Sequence, residues 1–169
     1  YRLAQYALMK GQTKQARAYL ASELQASPED ADTLVSMGSM FLMIDELDYA
    51  THCLLGVVDI DCANADGYYY LGLASAVKGQ FEDAAEFFCH TLDIRPEHVP
   101  ALRDSAVIYL AMGRLADAAD RIKKALALAG DDSQLRSLNR RVSLAQTAER
   151  IVDFLCRLRP RLIFRKLLR

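Results

Sequence analysis

Residues 68–96 read YYYLGLASAVKGQFEDAAEFFCHTLDIRP. Two amphipathic segments, with apolar residues three and four apart, meet at Gly79. That is the pattern of two helices joined by a tight turn. Gly72 and Ala84 fall in the middle of these segments, where a glycine costs about 1 kcal/mol relative to alanine. A side chain that small lets two helix backbones approach closely, and the packing gained offsets the cost.

The same features recur along the chain at a spacing of 34 residues. Ala4, Gly38, Gly72 and Ala106 form one column, and Ala16, Ala50, Ala84 and Ala118 a second. Gly11, Gly79 and Gly113 share a third, with Asp45 standing in the second copy. Leu24, Val58, Leu92 and Leu126 form a fourth, and Pro28 and Pro96 fall in a fifth with Cys62 and Gly130. Several independent columns at one period mark stacked copies of a single helix pair.

These columns resemble the tetratricopeptide repeat, a 34-residue unit with a large residue, then Leu-Gly, then Gly, Ala and Pro. Residues 68–96 are close to a full consensus copy. The other units are looser, with Met37 for the Leu, Asp45 for the Gly, and Cys62 and Gly130 for the Pro. The resemblance implies an all-α, right-handed solenoid of four units, 1–30, 31–64, 65–98 and 99–130. Residues 131–158 follow as a capping helix, with N-capping residues Asp132 or Ser133 and an apolar stripe of Leu135, Leu138, Val142 and Ala145. Arg140 stands in the small-residue column, so this segment is not a fifth repeat. Repeat arrays need such a cap to cover their last open face.

The net charge of −1 conceals a strong segregation. No Lys or Arg lies between Arg17 and Lys78, while ten Asp and Glu run from Glu23 to Asp66. The end of the chain is the reverse, with Arg157, Arg159, Arg161, Arg165, Lys166 and Arg169 and no acid. At helical spacing, residues 159–169 make a basic amphipathic tail whose Ile163, Phe164, Leu167 and Leu168 lie opposite the cations. Such a segment suits an anionic lipid surface or an acidic groove. An acidic body repels phosphate, so nucleic acid is not expected as a partner. The chain opens inside an amphipathic pattern with no initiator Met, as a piece of a longer protein would.

Catalysis is poorly supported. His52–Cys53 and Cys89–His90 are sequence neighbours, whose side chains diverge by about 100° on a helix, so neither is a nucleophile–base pair. His98 stands at a turn, and no phosphate-cradling glycine loop or zinc-protease motif occurs. The four cysteines, Cys53, Cys62, Cys89 and Cys156, form no CxxC pair and read as thiols of a reducing, cytoplasmic compartment. Residues 59–72, DIDCANADGYYYLG, superficially suggest a calcium loop. Counting from Asp59, however, the third oxygen ligand arrives one residue late at Asn64, and the twelfth place holds Tyr70 rather than a bidentate Glu. The stretch reads as the joint between two units, with Asp66 at a helix start. No metal or cofactor is expected.

What remains is binding. In tetratricopeptide proteins the first helix of each unit lines a concave groove for partner polypeptides. The resemblance places Gln5, Leu8 and Met9 there from the first unit, and Val35, Ser39, Leu42 and Met43 from the second. Tyr69, Leu73, Ala76 and Val77 come from the third, and Arg103, Val107, Leu110 and Ala111 from the fourth. Leu42, Met43, Tyr69 and Leu73 are the expected anchors. A contiguous apolar patch of this kind normally marks a binding site, and Met9 and Met43 would make it adaptable. Co-chaperones of the family that grip an acidic C-terminus share a Lys/Asn/Arg cluster. The matching positions here hold Tyr1, Gln5, Ser36, Asp66 and Tyr70, which argues for an apolar, basic or neutral partner selected by acidic units 1 to 3.

The chain also resembles bacterial type III secretion chaperones of the translocator-binding class, in an aromatic pair before Leu-Gly-Leu and then Gly-Gln. Four units and an arginine-rich end depart from that pattern. The expected function is thus a non-enzymatic scaffold or chaperone for a protein or peptide. Self-association through groove or tail, and peripheral membrane contact through the tail, are further expectations.

Overall fold

A computed structural model describes residues 1–26, 28, 30–130 and 132–158. The described residues form nine helices and no strand. Four antiparallel pairs follow one another: α1 (Arg2–Met9) with α2 (Thr13–Gln25), α3 (Ala31–Met43) with α4 (Leu47–Ile60), α5 (Ala65–Val77) with α6 (Phe81–Ile94), and α7 (Val99–Ala111) with α8 (Leu115–Ala129). A last helix, α9 (Ser133–Leu158), packs on α8 and α7. The architecture is the all-α solenoid expected from the 34-residue period.

Helix starts and stops follow local chemistry. The first helix of the later pairs begins at a side-chain cap. Asp30 accepts from the Thr33 amide at 2.8 Å, Asn64 from Gly67 at 2.9 Å, and His98 Nδ1 from Ala101 at 3.1 Å. Asp132 does the same for α9, at 2.7 Å from the Gln134 amide. Each cap satisfies a backbone donor that the helix itself leaves open. The turn between paired helices passes through one left-handed residue, with φ of 70° at Gly11, 76° at Gly79 and 74° at Gly113. Asp45 takes the same conformation at φ 61° despite its Cβ, so the second turn carries strain that the glycines avoid.

The small-residue columns face inward. Ala4, Ala16, Ala50, Ala84, Ala106 and Ala118 are fully buried. Their purpose is visible in a column of large residues opposite: Leu20, Leu54, Phe88 and Ile122, all fully buried and again 34 apart. A Cβ on Gly38 would stand 2.7 Å from Leu54 Cγ, and one on Gly72 would stand 2.7 Å from Phe88 Cε1. Each large side chain therefore lies directly on the backbone of its partner helix. Two core clusters result. One joins the first two pairs around Leu20, Met37, Phe41 and Val57; the other joins the last two pairs and α9 around Phe88, Leu102, Ile122 and Leu135.

Helix α9 continues the period. It begins 34 residues after α7 and lies beside it, with Leu135, Leu138 and Val142 buried against the stack. Arg140, in the small-residue column, is exposed. In the pairs that column is small because a second helix lies on it; among the described residues nothing lies on Arg140. Past Gln146, which donates to the Leu115 carbonyl at 3.2 Å, the described side chains of α9 are all exposed. Arg157 falls in the last turn of α9, and the remaining basic-tail positions, Arg159, Arg161, Arg165, Lys166 and Arg169, lie outside the described residues.

Candidate functional site

The first helix of each pair repeats the same face, so residues at one place in the period form lanes across α1, α3, α5, α7 and α9. The lane at the C-terminal ends of α1, α3, α5 and α7, and at the matching place midway along α9, is apolar throughout: Leu8 and Met9, Leu42 and Met43, Ala76 and Val77, Leu110 and Ala111, Leu144 and Ala145. Exposure within it is uneven. Met9 is 82% exposed, Met43 73% and Val77 62%. Leu8, Val35 and Leu42 are half-buried against the first core cluster, and Tyr69, Leu73 and Leu110 against the second. Among the expected anchors, then, Met43 is free for a partner, whereas Leu42, Tyr69 and Leu73 already serve the fold.

Tyr69 shows why. Its ring packs 5.9 Å from that of Phe88 and 4.7 Å from that of His98. Its hydroxyl donates to Asp104 at 2.9 Å, and Asp104 also accepts two bonds from Arg103. Burial, followed by the Asp104 charge, pushes the Tyr69 phenol far above its ordinary value. Tyr69 thus braces α5 on α7 and presents only part of its ring to solvent.

Two clefts open on this face. The first, about 390 Å³, lies between α1 and α3 and is lined chiefly by Gln5, Leu8, Met9, Ser39, Met40 and Met43. Gln5, Leu8, Met9, Ser39 and Met43 from the expected groove are brought together here. The second, about 360 Å³, lies between α7 and α9, where Arg103, Val107, Ser137, Leu138 and Arg141 meet. The contribution of α9 was missed in the sequence because the helix was read only as a cover. Its signal was present: Ser133, Ser137 and Arg141 recur at four-residue spacing opposite the apolar stripe.

The acidic window proves narrower in space than three units. Helices α1 and α2 carry Arg2, Lys10, Lys14 and Arg17, so the negative surface centres on α3 and α4. Much of it is matched within the fold. Arg17 pairs with Glu46 at 2.6 Å and Lys78 with Asp48 at 3.1 Å, each bridging successive helix pairs, and Arg95 pairs with Asp66 at 3.0 Å within the third pair. Asp32 and Asp45, exposed at the two ends of α3, have no ion pair among the described residues.

In residues 59–72 the oxygen side chains hold the backbone. Asp61 accepts from the Ala63 amide at 3.0 Å, Asn64 caps α5, and Asp66 is tied to Arg95. His98 is nearly enclosed between α5 and α7, with Nε2 3.7 Å from Asp66. Burial, and then the Arg95 charge, lower its pKa, and the neutral ring that results is what its capping acceptor requires. Burial pushes the Cys53 thiol up to about 11, which keeps it a protonated core side chain. His52 beside it is exposed.

Residues 78–142 match the tetratricopeptide repeat family. No curated protein matches the sequence. Among solved structures, one of MamA protein is 18% identical over 86% of this chain and 80% of that one, with a TM-score of 0.76. YrrB, described as a TPR protein with an unusual peptide-binding site, is 18% identical over 81% of this chain and 71% of its own, with a TM-score of 0.72. The first TPR of Spaghetti (RPAP3), solved bound to HSP90 peptide SRMEEVD, is 18% identical over 69% of this chain and 93% of its own, with a TM-score of 0.67. At these identities the likeness establishes the fold.

Proposed function

We propose, for a chain folded as a stack of tetratricopeptide repeats, that it is a non-enzymatic binding module for a polypeptide segment with apolar side chains and basic flanks. The observation that carries this reading is the cleft between α1 and α3, where Met9 and Met43 stand largely exposed on opposite walls. Leaving two long apolar side chains in water is unfavourable by about 25 cal/mol per Å² of apolar area, and a partner side chain seated between them removes that cost. Thioethers adapt to varied shapes, so the cleft suits a family of apolar side chains rather than one. Asp32 and Asp45 bracket α3 and supply the preference for cations beside the apolar residue. The neighbours whose descriptions mention peptides support the same general role for this face.

The clean test uses Met9→Gln with Met43→Gln, since both positions are exposed and contribute little to the core. Proteins retained from a lysate by the wild-type chain, identified by mass spectrometry, should be lost with the double variant while far-UV circular dichroism is unchanged. Retention of the same proteins by the double variant refutes the assignment. Polar substitutions at Leu42, Tyr69 or Leu73 would confound recognition with stability, because all three pack on core clusters.

A further inference from the structure

We infer that the basic C-terminal segment, residues 159–169, is itself a ligand of this groove and docks across α3 of a second copy of the chain. The inference rests on the reading of the concave face as a polypeptide-binding surface, and it names one occupant. Ile163, Phe164, Leu167 and Leu168 supply the apolar side chains for the lane of Met9, Leu42 and Met43. Arg161, Arg165, Lys166 and Arg169 supply cations for Asp32 and Asp45.

Charge complementarity is the first argument. The segment 157–169 holds six cations and no acid, while residues 18–77 hold ten acids and no cation. Within the fold, three cations that flank that window are already used: Arg17 on Glu46, Lys78 on Asp48 and Arg95 on Asp66. Asp32 and Asp45 are left at either end of the helix that carries Met43. An apolar strip with a carboxylate on each side is the complement of a segment that alternates cations with Ile, Phe and Leu.

Reach is the second argument, and it separates a second copy from the chain's own groove. Among the described side chains, the last contact of α9 with the stack is at Gln146. Residues 147–158 then carry the helix about 18 Å past the edge of the stack, at 1.5 Å per residue. From the α9 slot back to α3 is three helix spacings, about 27 Å at 8–10 Å each. The straight path from residue 158 to α3 is therefore about 33 Å. Eleven residues span at most about 36–40 Å when fully extended, so arriving at α3 in the same chain leaves only about two residues to lie across it. A second molecule has no such constraint. The contact is head-to-tail, the groove of one copy taking the segment of the next, so it propagates beyond a dimer unless the rotation closes a ring.

The test is sedimentation equilibrium of the full chain over a wide concentration range. The expected result is an average mass that rises above 18.9 kDa with concentration and falls back in high salt, since the pairs are exposed and screened. Arg165→Glu with Lys166→Glu in the segment should weaken association about tenfold or more, and so should Asp32→Lys with Asp45→Asn on α3. Mixing those two variants should restore a complex, because each supplies the intact half that the other lacks. A synthetic peptide of residues 159–169, added in excess to the wild-type chain, should return it to monomer. A mass that stays monomeric throughout overturns the inference, as does association indifferent to salt and to both variants. So does a peptide that binds phosphatidylserine vesicles yet leaves the mass of the chain unchanged. If association is absent while Met9→Gln with Met43→Gln still abolishes partner capture, the segment docking falls and the groove reading stands.

Discussion

Replacing Gly72 by alanine separates two opposed effects, and the structure says which wins. Helix propensity alone favours the change by about 0.8–1.0 kcal/mol, because a mid-helix glycine leaves more backbone entropy to lose. Against this, the new Cβ would lie 2.7 Å from Phe88 Cε1, 2.8 Å from Cδ1 and 3.1 Å from Cζ. Phe88 is fully buried and its ring packs on Tyr69, so it has no open space to turn into. Overpacking of this kind costs about 1–3 kcal/mol, and the net expectation is a loss of up to about 2 kcal/mol. The fourth unit shows what relieves it: Ala106 there faces Ile122, and both are fully buried without conflict. Gly72→Ala with Phe88→Ile imports that pair into the third unit. Phe88→Ile alone leaves a void beneath Gly72 and should cost about 1–3 kcal/mol. The double variant should therefore be more stable than the sum of the single changes by about 1–3 kcal/mol, a coupling expected of residues in direct contact. Urea denaturation followed at 222 nm on the four proteins measures the cycle. Additivity within about 0.5 kcal/mol, or a stabilising Gly72→Ala, would show that the small-residue column does not exist to seat the large one.

Further outcomes follow from single sites. Asp45→Gly should raise stability by about 0.5–1 kcal/mol, since it removes a Cβ from a left-handed turn. The converse, Gly79→Ala, should cost about 1 kcal/mol although its Cβ meets nothing within 4 Å; thermal melts read both. His98 contributes a pH dependence of known sign. Its folded-state pKa is depressed below 6.5, so the unfolded chain takes up the proton first as pH falls. Stability is then present above about pH 6.5 and lost through the window beneath it. His98→Asn keeps a capping acceptor of about 1 kcal/mol but does not titrate; relative to wild type it should flatten the change in melting temperature between pH 7.5 and 5.5. Tyr69→Phe removes one hydrogen bond to Asp104 and should cost about 0.5–1.5 kcal/mol in urea denaturation.

The repeat was legible because its constraints are chemically narrow. A left-handed turn and a backbone pressed against a side chain each admit almost one residue type, so Gly11, Gly72, Gly79 and the alanine columns stand out at a fixed spacing. The opposing column was hidden because its requirement is broad. Leu20, Leu54, Phe88 and Ile122 need only be large and apolar, and many other positions of the chain satisfy that. Asp45 shows the reverse case: the sequence marked it as a departure, yet the backbone still adopts the conformation of the column, because the flanking helices over-determine the turn.

The groove was harder to read for a related reason. A lane position faces solvent at one atom and core at another, and periodicity reports only the lane. Tyr69 and Met43 belong to the same face, but the tyrosine is wide enough to reach Phe88 and His98 while the methionine ends in water. Binding capacity along this face is therefore set by how far each side chain falls short of the next helix. Where the side chain is flexible and ends in solvent between two first helices, as at Met9 and Met43, a gap remains for a foreign side chain. Where an aromatic closes it, as at Tyr69, the face is consumed by the fold. It follows that enlarging the apolar surface at Val77 should extend the binding strip, whereas trimming Tyr69 should open a new gap only by destabilising the contact between α5 and α7.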